Sequence, residues 1–81
     1  MKIIVDEQER EVGPGTRLSH LVAMIEDERK HDAMVRVLLE KTGKTGFTFV
    51  LNGRVIKGKD YDKIEIREGD RLSVVHPVFG G

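Results

Sequence analysis

Apolar positions along the chain change their period several times, and each change marks an element. After Lys2, the β-branched run Ile3-Ile4-Val5 predicts a strand buried on both faces or nearly so. The polar stretch Asp6-Glu7-Gln8-Glu9 suits a tight turn, and Arg10-Glu11-Val12 returns as a short second strand. Gly13-Pro14-Gly15 ends it, because proline has no N–H to give a ladder and glycine interrupts the pattern. Leu18, Leu21, Val22 and Ile25 then fall at i, i+3, i+4 and i+7. That is one face of a helix from about Arg17 to Arg29, with Thr16 as its N-cap. Glu26 and Lys30, four apart, are expected to pair on its outward side.

His31 to Lys41 admits two readings. Asp32 can cap a second helix carrying Met34, Val37 and Leu38 on one face, and the run Val35 to Leu39 also suits a strand. Helix is favoured, because Ala33, Met34, Leu38, Leu39, Glu40 and Lys41 are good helix formers. Gly43-Lys44-Thr45-Gly46 reads as a loop. Phe47-Thr48-Phe49-Val50-Leu51 alternates with period two, placing Phe47, Phe49 and Leu51 on one face of a strand. Asn52-Gly53 is the strongest hairpin signal in the chain, since a type I′ turn needs two residues that tolerate positive φ, and Arg54-Val55-Ile56 is the returning strand. Lys57 to Lys63 is polar with Tyr61 as an anchor, Glu68-Gly69-Asp70 is a turn, and Arg71 to His76 is a last strand with Leu72 and Val74 on one face. The pattern divides the chain into one folded domain, residues 1–76, and a flexible tail, residues 77–81. Pro77 marks the division, because it fixes φ and interrupts the ladder.

Composition narrows the classes of function. Eighty-one residues hold one small core. Fourteen Lys and Arg balance 14 Asp and Glu, so no broad field holds a nucleic-acid backbone or an anionic membrane, and neither is expected as a partner. The chain has no cysteine, which removes disulfides, thiolate catalysis and thiolate metal sites and favours a cytoplasmic location. The first residues carry charge too early for a signal peptide, and no apolar run approaches the ~20 residues of a membrane span.

Most chemistry-bearing residues have plain readings. Gly43-Lys44-Thr45 looks like the end of a phosphate-binding loop, but Leu38 stands where that motif needs its first glycine, so a polar loop is the better account. His20, His31 and His76 have no partner at metal-ligand spacing, and no metal site is expected. Glu26-Asp27-Glu28 reads as a solvated helix face. No spacing brings Ser19 or Ser73 to a His and an Asp.

The last two residues are different. At average usage, two terminal glycines arise by chance in about 0.5% of chains. Gly80 and Gly81 make a thin thread that can enter a narrow active site while the body stays outside. A carboxylate is a poor acyl donor, and adenylation would neutralise it and supply a leaving group; the residue bearing it must then be unhindered, as Gly81 is. Beside this tip, Val78 and Phe79 are bulky and apolar, and suit packing on the body or contact with a partner equally.

With these features the chain resembles the ThiS/MoaD sulfur-carrier family of the ubiquitin-like β-grasp fold. The likeness spans nearly the whole chain and is best from Phe49 onward: Val50-Leu51-Asn52-Gly53, Glu68-Gly69-Asp70, the last strand and Gly80-Gly81. The resemblance implies an α+β fold with a mixed four- to five-stranded sheet packed on one main helix, with a second short helix. It implies a carrier or co-substrate, as a synthase's small subunit can be, rather than an enzyme. Gly81 would become an acyl-adenylate and then a thiocarboxylate, with Gly80, Phe79, Val78 and Pro77 contacting partners. No cofactor would be bound; ATP would be used by a ubiquitin-activating-like adenylyltransferase. A sulfur donor and then a thiazole synthase or the large subunit of molybdopterin synthase would follow. The short first hairpin is like the thiamine-thiazole carriers. The longer stretch from Asp32 to Thr48 and Pro77-Val78-Phe79-Gly80-Gly81 are like the small subunit of molybdopterin synthase, and Phe79 stands where the family usually has a smaller residue. Two other classes suit the same chain: a protein modifier conjugated through Gly81, and a non-covalent β-grasp interaction module.

Overall fold

In a computed structural model, residues 1–76 are described. The elements run β1 (Lys2–Val5), β2 (Gln8–Glu11), α1 (Leu18–Arg29), α2 (Ala33–Thr42), β3 (Thr48–Leu51), β4 (Arg54–Ile56), a 3-10 helix (Gly58–Lys63) and β5 (Arg71–Val75). The strands form one mixed sheet in the order β2-β1-β5-β3-β4. The first and last strands lie parallel at its centre, and every other pairing is antiparallel. This is the expected α+β sheet, with five strands, and the second helix is formed.

Leu18, Leu21, Val22 and Ile25 are all buried, as their spacing requires, and meet Ile3, Val5, Val12, Phe49, Leu51, Leu72 and Val74 in one core. Ile66 joins them although the polar stretch before it gave no warning. It is drawn in by backbone pairing: Ile66 N–H donates to Thr16 O at 2.8 Å and Leu18 N–H to Ile64 O at 2.8 Å, around an isolated bridge between Arg17 and Glu65. Tyr61 anchors the 3-10 helix, its ring edge-on to Phe49 at 5.8 Å.

Several local expectations are corrected. Ile3 and Val5 are buried but Ile4 is only half-buried, because the core covers one face of the sheet. The first turn is two residues long: Asp6 and Glu7 take φ of 49° and 70°, and Val5 pairs with Gln8. The second strand therefore starts at Gln8 and ends before Val12. Thr16 is not the cap of α1. Arg17 holds that position without a side-chain bond, and the Thr16 hydroxyl instead donates to Gly13 O at 2.7 Å. Asp32 does cap α2, accepting from Met34 N at 2.9 Å and Val35 N at 3.4 Å, while Gly43 closes it at φ 76°. The face of α2 is rotated from expectation. Val35 is buried and Leu38 half-buried, whereas Met34 and Val37 are exposed, because a short helix at the rim of the core meets it along a narrow line.

The two turn motifs meet at one end of the sheet. Asn52 Nδ2 donates to Asp70 Oδ1 at 3.0 Å, and Asn52 Oδ1 accepts from Arg71 N at 2.9 Å. Asp70 Oδ2 also closes its own turn by accepting from Arg67 N at 2.8 Å. Asn52 at φ 51°, Gly53 at φ 82° and Gly69 at φ 83° supply the left-handed geometry that both turns need.

Candidate functional site

The opposite end of the sheet is where the chain reaches His76, the last described residue. Three elements converge there: the end of β1, the start of β3 and the last turn of α1. Asp6 turns the chain out of β1, yet its backbone N–H still donates to Leu72 O at 3.0 Å. Its side chain then replaces the departing strand, since Asp6 Oδ1 accepts from Val74 N at 2.9 Å. The second oxygen, Oδ2, accepts from Arg29 Nη2 at 2.9 Å. Arg29 Nη1 lies 3.4 Å from His76 Nε2, and its guanidinium sits 5.9 Å from the centre of the Phe47 ring. Phe47 meets the His76 ring edge-on at 5.2 Å. Beside this cluster His76 also lines a cavity of about 230 Å³ with Asp32, Met34 and Val35.

Pro77, Val78, Phe79, Gly80 and Gly81, the expected contact and acyl-transfer residues, lie outside the described residues. The other candidates are placed. His20 and His31 are exposed. Gly43-Lys44-Thr45 follows a helix, where a phosphate loop would precede one. Thr45 is buried, and its hydroxyl donates to Glu26 Oε2 at 2.6 Å. Glu26 thus faces the loop after α2 and is half-buried, and Lys30 pairs with Asp27 at 2.9 Å, so the expected Glu26–Lys30 pair does not form. The acidic run is partnered throughout rather than merely solvated. Its third member, Glu28, takes a two-pronged bond from Arg10 on β2, at 2.7 and 3.0 Å.

That fork holds the Glu28 carboxyl below the usual range, chiefly through the hydrogen bond from Arg10, with burial opposing it. A depressed carboxyl stabilises the fold fully above its unfolded value, about 4.3, and loses that contribution as pH falls through the folded value. Both side chains are substantially exposed, at 29% and 49%, so the contribution stays below about 1 kcal/mol. Glu28→Gln is expected to lower stability by less than that at neutral pH. The difference from wild type should vanish on acidification, as urea unfolding at a series of pH values would record.

A second cleft, about 420 Å³, runs beside the edge strand β4 and is lined by Arg54, Lys57, Lys59 and Lys63 with Asp60. It is distant in topology from the last turn of α1, and it gathers charge without a nucleophile. Among the described residues, no helix is long and apolar enough to cross a membrane.

Comparison with known proteins now decides the family. The ThiS family model matches residues 1–81. The chain belongs to the ThiS family. A similar solved structure is the thiamine biosynthesis protein (ThiS) from Geobacter metallireducens. It is 18% identical, with a TM-score of 0.68, and the alignment covers 100% of both chains. A comparison with curated protein sequences finds no match. The β-grasp architecture expected from the resemblance is thus the observed one. Within this ThiS-family chain, the Asn52-Gly53 and Gly69-Asp70 motifs prove to be one hydrogen-bonded unit at the end of the sheet away from His76. Sequence reading missed Asp6, Arg29 and Phe47 as neighbours of His76. The four residues lie 18 to 70 positions from one another, and no spacing rule links them. The one local hint was an aspartate at the end of a strand, a residue type suited to left-handed turns.

Proposed function

We propose that this chain is a sulfur carrier in thiamine biosynthesis, whose Gly81 carboxylate is adenylated and converted to a thiocarboxylate. The observation that carries the reading is the family match running through residue 81, so that Gly80-Gly81 falls at the end of a β-grasp body. On this reading the reactive atom is the Gly81 carbonyl carbon. A ubiquitin-activating-like adenylyltransferase directs a Gly81 carboxylate oxygen onto the α-phosphorus of ATP, and pyrophosphate leaves. A donor sulfur at the oxidation level of sulfide then adds to the acyl carbon, AMP leaves, and a thiocarboxylate remains. A thiazole synthase takes the sulfur. The short first hairpin, now seen as a two-residue turn, favours this branch over molybdopterin synthase.

Intact mass tests the reading. The chain is incubated with an adenylyltransferase, ATP and a sulfur donor, and exchange of one oxygen for sulfur is expected. Ladders of larger species would point to a modifier instead. An unchanged mass with partner binding that survives deletion of Gly81 would point to an interaction module.

A further inference from the structure

We propose that Asp6, Arg29 and His76 are positioning residues that hold the end of β5 in place, and so help present the terminal glycine to an activating enzyme. This rests on the sulfur-carrier reading above.

The last three residues of β5, Ser73 to Val75, lack a paired strand on the β1 side. On the β3 side the ladder continues to the Thr48–Val75 pair. On the β1 side it stops early, because the chain turns away at Asp6. An edge of this kind frays unless its free N–H groups find partners. Here the Asp6 carboxylate takes the Val74 N–H, and its other oxygen orients Arg29, whose second prong reaches His76. Phe47 closes the ring of contacts against both the guanidinium and the imidazole. Side chains from four segments are thus gathered at the end of β5, just before the five residues that end in Gly80-Gly81.

The physical consequence concerns the search the tip must make. Five residues reach at most about 18 Å when extended. Loosening β5 by two residues lengthens that reach and multiplies the conformations among which the terminus is distributed. An anchored root therefore raises the fraction of docked carriers whose carboxylate meets ATP, without touching the reacting atoms.

The test uses the full chain with its adenylyltransferase and ATP. Carrier concentration is varied, and backbone ¹⁵N relaxation is measured at Val75 and His76. In Arg29→Ala, kcat for adenylation is expected to fall about tenfold, short of the roughly hundredfold that a 1 Å misplacement can cost. KM for the carrier should stay within about twofold, because a positioning role acts after docking and is read in kcat. The His76 order parameter should drop from about 0.85 towards 0.6. Asp6→Asn keeps the left-handed turn and the acceptor for Val74 but weakens the ion pair, and is expected to follow Arg29→Ala. Arg29→Lys keeps the charge but loses the fork, and is expected to fall between. A wild-type kcat in Arg29→Ala, an unchanged His76 order parameter, or a rise in KM at constant kcat would each overturn the anchor. A wild-type chain that is never adenylated, while Gly81-independent binding to the enzyme persists, would instead overturn the carrier reading on which it stands.

Discussion

Gly81→Val is expected to abolish thiocarboxylate formation while the body melts at the wild-type temperature. A β-branched side chain beside the acyl carbon crowds the path of both the incoming phosphorus and the incoming sulfur. On the proposed reading, it also widens a thread that enters a partner's active site. A displacement of about 1 Å at a reacting centre costs on the order of 100-fold, and the valine blocks approach as well. The expected loss is therefore more than about 100-fold in the rate of sulfur incorporation, read by intact mass at early times. The fold should not register the change, because the core is formed by residues from Ile3 to Val74. A Gly81→Val chain charged at the wild-type rate would mean that the terminus is not threaded into an active site.

The second large effect falls on stability. Phe49 is 1% exposed on the strand next to β5, and its ring meets Phe47 at 6.3 Å and Tyr61 at 5.8 Å, both edge-on. Phe49→Ala removes this hub of β3, the core and the 3-10 helix together. Truncation of a buried phenylalanine costs about 3–5 kcal/mol. A chain of 81 residues has only about 4–12 kcal/mol in total at the usual 0.05–0.15 kcal/mol per residue. The variant is expected to melt at least about 12 °C below wild type, at roughly 4–8 °C per kcal/mol for a domain of this size. Denaturant unfolding at fixed temperature checks the free energy directly. A loss under about 1 kcal/mol would mean that the space collapses around the alanine and that Phe49 is not central to the core.

The two effects separate body from tip. Phe49→Ala should reduce charging only as far as it depletes folded carrier, whereas Gly81→Val should remove charging from a fully folded one. The Arg29→Ala effect lies between them, on the join.

Much of this molecule was legible from neighbouring residues. Leu18, Leu21, Val22 and Ile25 are buried as their period demands, and so are Phe49, Leu51, Leu72 and Val74 on their strands. Asn52-Gly53 turns with positive φ at both positions. Asp32 caps α2, whose helical reading the structure bears out over the strand alternative. These features depend on residues within about one or two turns, and a hydrophobic period or a turn preference is a property of such a window. The family was legible too: the resemblance carried by Asn52-Gly53, Glu68-Gly69-Asp70 and Gly80-Gly81 is to the family whose model matches the chain.

Other features had no local signal. Thr16 has the chemistry of a cap, yet Gly13 O is nearer to its hydroxyl than the first turn of α1. Glu26 was placed on an outward face, and the loop after α2 folds back to give it Thr45. Ile66 is buried because its segment pairs with residues about 50 positions earlier. The grip of Asp6 on β5, 68 residues away, follows from the parallel pairing of the first and last strands, which joins positions 67 residues apart. Short-range pattern thus established the elements, their inward faces and the family. Which strand lies beside which, and therefore which charged side chains meet at the end of β5, came from the closed sheet alone, since pairing between distant segments is settled by burying all their inward faces at once.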